Sequence, residues 1–387
     1  MDSLASYTCP ICGNTDIHSI GILNGKPYCR RCISFRGKEA DEVVSEPKNA
    51  DFELNYRLSK EQKDLSKQLV QNYKNGKNSL VKAVCGSGKT EIVFNLIRMG
   101  IRKGGKVGFV VPRRDVVIEL FYRFKSVFKN NKIVAVYGGH TNELEGDLVC
   151  LTSHQLFRYS HYFNLLIMDE IDAFPYKGND VLHSFFDRAM NGRYVLLSAT
   201  PSDEFVNEFK KQGGEVLELN IRFHRHPLPV PEVFVGSSLI LYIKLIGLIK
   251  DFMKLNQPVF VFTPTIEKCE MIFNLLRLFI HNGNFVHSKH PSRSKIINDF
   301  KEGKYRYLVT TAVLERGVTV KDIQVIIINA DHNIYDSYSL VQIAGRVGRK
   351  KEAPEGRVIY LANRKTEEME KSISDIKRAN KTLQNML

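Results

Sequence analysis

From about residue 58 onward, short apolar runs alternate with amphipathic stretches. SLVKAV, KVGFVV, IVAVYG, DLVCLT, NLLIMD and RYVLLS are rich in β-branched or aromatic side chains and apolar almost without interruption. Unbroken rather than alternating hydrophobicity marks strands covered on both faces, so these runs predict a doubly wound parallel sheet between helices. Three prolines in FHRHPLPVPEVFV break the rhythm and predict a hinge. The rhythm then resumes in PVFVFT, NFVHS, RYLVTT, IQVIIIN and GRVIYL, predicting a second α/β domain of similar architecture. SSLILYIKLIGLIKDFM carries Lys244 in its middle and Lys250 near its end, which predicts a mostly buried helix and falls short of a membrane span. In the YRFKSVFKNNK region the spacing of Phe121, Phe124 and Phe128 suits a helix buried on the sheet better than a base-stacking platform. TEEMEKSISDIKRANKTLQNML predicts a charged terminal helix. Residues before about 51 lack long apolar runs, and GKEADEVVSEPKNAD reads as a polar linker. The expected division is 1–50, 51–225 and 226–387.

At 387 residues and 43% hydrophobic, the chain is long enough for two or three cores, on a prior of roughly 100–200 residues per domain. Its 56 Lys and Arg against 42 Asp and Glu give a formal net charge of +14, which favours a polyanionic partner such as nucleic acid. MDSLASYTCP has no basic segment followed by an apolar run, so a secretory signal is not expected and a cytoplasmic place is. Seven unevenly placed cysteines argue against a disulfide framework and for a reducing compartment.

The chemistry is concentrated in a few stretches. In GSGKT, Gly86 and Gly88 let the backbone approach phosphate oxygens with Ser87 between them. Lys89 would reach the β- and γ-phosphates of ATP, and the Thr90 hydroxyl would ligate Mg2+. Ala83 stands where the full phosphate-loop pattern has glycine. NLLIMDEIDAFP ends a buried strand with Asp169, placed to hold the metal, and Glu170, placed to polarise the attacking water. LLSATPS sets Ser198 and Thr200 at another strand end. VQIAGRVGRK places Arg346 and Arg349 on one face if helical, where they can act as arginine fingers.

CPICGN and YCRRCI give two C-x-x-C pairs, Cys9 with Cys12 and Cys29 with Cys32, at the spacing of a tetrahedral zinc site. A redox pair is the alternative, although two such pairs are hard to explain by thiol exchange. Four sulfurs leave no open position, so Zn2+ here is expected to be structural. Arg30, Arg31 and Tyr28 on the second knuckle fit contacts to phosphates or a base and equally fit docking to a partner protein. Cys85, Cys150 and Cys269 read as buried small hydrophobes, and His224 and His226 as hinge residues rather than ligands.

Taken in order, AVCGSGKTE, VVPRRDV, LTSHQLFR, DEID, SAT, VFTPT, TTAVLERGVT and QIAGRVGR resemble the motor core of superfamily-two helicases over about Leu58 to Arg364. The resemblance implies two tandem RecA-like domains with an ATP site in their cleft. It implies nucleotide contacts from Gln62, Lys89, Thr90, Asp169, Glu170, Gln342, Arg346 and Arg349, and backbone contacts to a nucleic-acid strand near Arg113, Arg114, Thr152, Gln155, Thr263 and Thr310. The fifth motif has Thr319 where RNA-unwinding DEAD-box members have aspartate, and Gln342-Ile343 replaces their His-Arg opening of the sixth. These departures favour the DNA-translocating branch. A short motor preceded by four cysteines is similar to the late competence family ComFA. That family resemblance implies an ATPase that moves on single-stranded DNA and powers uptake of transforming DNA. The implied partners are a ComFC-like protein, the inner-membrane channel, a DNA-processing protein and a homo-oligomer, and the implied place is the inner face of the cell membrane. A duplex-unwinding DNA or RNA helicase of replication restart, repair or RNA remodelling shares the motor motifs and remains the alternative.

Overall fold

Each apolar run of the pattern above folds as a strand. In the computed structural model, which describes residues 7–41, 46–54, 56–84, 86–199, 201–219, 226–311, 320–348 and 352–384, the cysteine segment forms a hairpin of β1 (Ile20–Leu23) and β2 (Lys26–Cys29). There follow β3 (Ser79–Ala83), β4 (Val107–Val111), β5 (Ile133–Val136), β6 (Leu148–Thr152), β7 (Phe163–Asp169), β8 (Met190–Ser198) and β9 (Glu215–Leu219). They make a parallel sheet in the order β5-β6-β4-β7-β8-β3-β9. A second parallel sheet holds β10 (Glu232–Val235), β11 (Val259–Phe262), β12 (Gly283–Val286), β13 (Tyr307–Thr310), β14 (Gln324–Ile328) and β15 (Val358–Ala362) in the order β10-β15-β14-β11-β13-β12. Cα packing divides the chain into one unit of Met1–Ala83 with Gly88–Leu219 and another of Val84–Ser87 with Asn220–Leu387.

Helices cover both faces of each sheet. The central strands β4 and β6 are buried at every residue, as their uninterrupted hydrophobicity requires. Phe124, on the helix Arg114–Val127, and Phe128, its C-cap, are fully buried and meet Phe94 and Phe109 edge-on or tilted, so the aromatic spacing is a core and not a platform. Cys150 and Cys269 are likewise buried, and burial pushes the Cys269 thiol up to about 12.

Three readings need correction. EVFV, read as part of the hinge, is the edge strand β10, paired with β15; the prolines end just before it, where an edge strand tolerates them. The helix Ser238–Lys254 is buried along Leu241, Leu245, Leu248, Ile249 and Phe252, and leaves Leu239, Ile240 and Ile243 exposed. The linker is anchored on both sides of residues 42–45: Ala40 N donates to Arg158 O at 2.8 Å, Ala50 is fully buried, and Lys48 pairs with buried Asp147 at 2.8 Å.

Truncating Phe124 removes a buried ring from this cluster, and Phe124→Ala should lower stability by about 3–5 kcal/mol. Urea unfolding followed by circular dichroism checks this, and a loss below about 1 kcal/mol would refute the packing described.

Candidate nucleotide and nucleic-acid site

Parallel pairing sends the carboxyl ends of all strands of a sheet to one edge, which is where open α/β sheets bind ligands. In the first sheet β3 lies beside β8, β8 beside β7, β7 beside β4 and β4 beside β6. The loop after β3 holds GSGKT, β7 ends in Asp169 and β8 in Ser198; Arg113 and Arg114 follow β4, and Thr152 ends β6. One half of this edge therefore carries the nucleotide candidates, and the adjoining half carries the candidates for a nucleic-acid strand.

Gly86 and Gly88 have φ of 80° and 81°, the left-handed conformation a side chain resists. A Cβ at Gly88 would also run into Gln62 Nε2, so a larger residue there would have to displace that carboxamide. Gly88 opens the helix Lys89–Ile92, which continues after a break at Val93 as Phe94–Arg102 rather than as one helix. Lys89 Nζ lies 3.7 Å from Asp169 Oδ1, with the two side chains 14% and 15% exposed. Asp169 Oδ1 also accepts from the Glu170 N–H at 2.9 Å, and that N–H meets Leu197 O at 2.9 Å. Glu170 itself sits at φ 61°, a strained conformation that its neighbours must hold. Ser198 Oγ donates to Asp172 Oδ2 at 2.7 Å, tying SAT to the last acid of DEID. This arrangement suits a magnesium nucleotide: a flexible ammonium and a carboxylate able to hold a metal face each other beside a loop whose glycines open it to phosphate.

Gln62 is buried and forms a capping box with Ser59, which donates its N–H to Gln62 Oε1 at 2.9 Å and accepts from Gln62 N at 3.2 Å. The cap fixes the carboxamide against Gly88. Sequence reasoning missed the network beside it, in which buried Glu91 accepts from Tyr56 Oη at 3.0 Å and pairs with Arg123. Only the acid next to Thr90 hinted at it.

On the adjoining half, Arg113 is the N-cap of the helix Arg114–Val127, and the Arg114 guanidinium stacks over Tyr137 at 4.8 Å. Thr152 is buried, and Gln155 lies on the short helix Ser153–Arg158 with its Oε1 accepting from Arg158 Nε at 2.7 Å. In the second sheet Thr263 follows β11 and Thr310 ends β13, both fully buried. Thr263 N and Oγ1 donate to Thr310 O at 2.8 and 3.2 Å, so these hydroxyls face the protein's own backbone. Gln342 is buried on the helix Ser337–Ala344, and buried Arg346 lies in the turn after it, because the helix ends at Ala344 before Gly345. Arg349, Thr200, Thr319, Cys85 and His224 lie outside the described residues.

The four N-terminal cysteines converge. Their Sγ atoms all lie within 4.8 Å of one another, with Cys9 and Cys32 3.5 Å apart and Cys12 and Cys29 3.7 Å apart. A ZnS4 tetrahedron with bonds of about 2.3 Å has edges of about 3.8 Å, so the residues fit zinc. Burial pushes the Cys12 thiol up to about 11 and the Cys32 thiol up further; at Cys9 burial is outweighed by the N–H groups of Cys12 and Ile11, which hold it low. A buried cluster that resists full ionisation needs a cation to hold four thiolates. It is the one group of three or more metal-ligating side chains among the described residues, so His226 has no such company.

Two family models match, the helicase conserved C-terminal domain over residues 242–351 and the type III restriction enzyme res subunit over residues 55–203. Competence protein ComFA of Bacillus subtilis is 34% identical over 97% of this chain and 86% of its own length. Competence protein ComFA of Streptococcus pneumoniae is 32% identical over 96% of this chain and 90% of its own. Among solved structures, S. cerevisiae Dbp5 bound to RNA and ADP BeF3 superposes with a TM-score of 0.66 at 17% identity, covering 84% of this chain and 88% of that one, a likeness of fold. No helix of the described residues is long and apolar enough to cross a membrane.

The sulfur cluster makes a direct prediction. Cys29→Ser should abolish stoichiometric zinc measured by atomic emission and loosen the N-terminal segment to proteolysis, while the sheets stay folded by circular dichroism; unchanged zinc content would refute the ligation.

Proposed function

This chain belongs to the ComFA family of competence proteins and carries a superfamily-two helicase motor, a nucleic-acid-dependent ATPase, and on that premise we propose that it moves along single-stranded DNA and powers the uptake of transforming DNA. The observation that carries the reading is Lys89 facing Asp169 across 3.7 Å at the shared edge, with Glu170 next in the chain and the Arg113 and Gln155 loops on the strands alongside. Net charge of +14 supports a polyanion as the track.

In this reading Lys89 leaves Asp169 for the β- and γ-phosphates, Thr90 and Asp169 hold Mg2+, and Gln62 recognises the base. Magnesium supplies neutralisation of the phosphate charge when bound. Glu170 orients and deprotonates the attacking water, and Arg346 and Arg349 stabilise the negative charge of the transferring phosphoryl group. Gln342 and the backbone of Gly86, Ser87 and Gly88 fix the nucleotide. Asp172, held by Ser198, transmits the state of the DEID turn to the end of β8. Arg113, Arg114, Thr152, Gln155, Thr263 and Thr310 grip the sugar-phosphate backbone of the strand, the threonines through main-chain groups because their side chains are buried. The zinc-bound segment is a folding unit of the first domain, and residues 1–50, 51–225 and 226–387 act as module, ATP-binding domain and second motor domain. The proposed partners are the competence uptake proteins, namely a ComFC-like protein, the inner-membrane channel and a DNA-processing protein, met at the cytoplasmic face of the membrane; assembly as a homo-oligomer is part of the same reading.

Steady-state hydrolysis tests it. Single-stranded DNA should stimulate the ATPase well above RNA of the same sequence at fixed salt, and Lys89→Ala should abolish turnover in a folded protein. Stronger stimulation by RNA would move the assignment to RNA remodelling, and normal turnover by Lys89→Ala would overturn the nucleotide site.

A further inference from the structure

Arg158 joins the cysteine segment to the loop that holds Gln155. It is a buried arginine, 8% exposed, at the end of the short helix Ser153–Arg158. Its Nη1 donates to Lys38 O at 2.6 Å, its Nε donates to Gln155 Oε1 at 2.7 Å, and its guanidinium lies over the Phe157 ring at 4.6 Å. Its own carbonyl accepts from Ala40 N at 2.8 Å, so residues 38–40 strap across it from both sides. Arg188 reinforces the strap, pairing with Glu39 at 2.7 Å and donating to Phe157 O at 2.6 Å. Ahead of the strap, Phe35 inserts between His154, Phe157 and Phe185, with ring centroids 5.0 to 6.0 Å apart. Gly37 is what lets the chain pass. Its φ is 140°, and a Cβ there would lie 2.7 Å from Arg158 Nη1.

These contacts do more than seal a domain surface. An arginine buried to stabilise the fold needs only its donors satisfied, and backbone carbonyls serve that end. Here one arm of the fork takes a carbonyl of the strap and another takes the carboxamide oxygen of Gln155. That contact fixes the rotamer of Gln155 and orients its NH2 group, the only part left to donate to a phosphate or sugar oxygen. We propose that Arg158 is a positioning residue for nucleic-acid binding, through which the docked four-cysteine segment sets the orientation of Gln155. The proposal rests on the reading of Gln155 as a nucleic-acid contact. Under it the N-terminal segment tunes the grip on the strand without touching the nucleotide site.

The test measures ATP hydrolysis against oligo(dT) concentration for the wild type, Gln155→Ala, Arg158→Ala, Arg158→Lys, Gly37→Val and the Gly37→Val/Arg158→Ala pair, with zinc content and melting temperature recorded for each. Arg158→Ala and Gly37→Val should each raise the half-saturating DNA concentration about tenfold, as expected for losing one well-placed charged contact. Polymer-free hydrolysis, KM for ATP and kcat at saturating DNA should not change. Lysine, a point donor without the fork, should restore little, and the paired variant should be no worse than either single one. If Gln155→Ala weakens DNA dependence while Gly37→Val and Arg158→Lys leave it at the wild-type value, the positioning role is wrong. An additive paired variant overturns it as well. If Gln155→Ala itself has no effect, the assignment of Gln155 to nucleic acid fails, and this proposal fails with it. Should Arg158→Ala lose zinc or its melting transition, the Gly37→Val and Arg158→Lys curves decide.

Discussion

Parallel strand pairing is the constraint on which the rest of the first unit depends. Because β3, β8, β7, β4 and β6 all run the same way, the loops that follow them are forced to one edge of the sheet, whatever their separation in sequence. Lys89 and Asp169 are eighty positions apart in the chain, yet their charged atoms stand 3.7 Å from each other. Reversing β3 or β7 alone would send one of the two to the opposite edge. The sheet's hydrophobic strands thus do more than fill a core; they fix which polar loops can meet.

On the proposed function, the same edge gives hydrolysis a route to the polymer. β7 and β4 are neighbours, so the strand that ends in the DEID acids and the strand that leads to Arg113 and Arg114 are one strand spacing apart, about 4.8 Å in the hydrogen-bonding direction. Small changes at the DEID turn, where Glu170 is held in a strained conformation and Asp172 is bound by Ser198, have a short mechanical path to the loops after β4 and β6 that we propose bind the strand. The Glu91, Arg123 and Tyr56 network runs the other way, linking the first turn after the phosphate loop to the helix that begins at Arg114. Glu91 is buried at the centre of this chain of contacts, while Tyr56 and Arg123 keep part of their surface in solvent.

Much of this was legible in the sequence because buried parallel strands are nearly pure hydrophobic runs, and because phosphate loops need glycine at fixed places. Gly86 and Gly88 do adopt left-handed conformations, and the four cysteines do converge. Besides the hairpin β1–β2, the missed strands of the two parallel sheets were β9, EVLEL, whose two glutamates disguise an edge, and β10, hidden behind prolines. β9 and β10 are edge strands, where one side of the ladder is open and the hydrophobic signal is weakest. Arg158, Arg123 and Asp172 could not be found by pattern, since each gains its role from a partner distant in sequence or from a rotamer. The ion pair between Lys48 and Asp147 is of the same kind: burial pushes that carboxyl up, the Lys48 ammonium and the Lys132 N–H outweigh it and hold the carboxyl below its ordinary range, and nothing in the local sequence signals it. Aliphatic residues on the exposed side of Ser238–Lys254 escaped notice because composition alone cannot say which face of a very apolar helix is covered.

Directed movement is the central claim, and the most direct measurement is ATP-dependent displacement of streptavidin from single-stranded DNA carrying biotin at one end or the other. The account predicts release from one end only, lost with a nonhydrolysable nucleotide. Hydrolysis that DNA stimulates but that displaces streptavidin from neither end would contradict it, and would make the protein a DNA-gated switch instead of a motor.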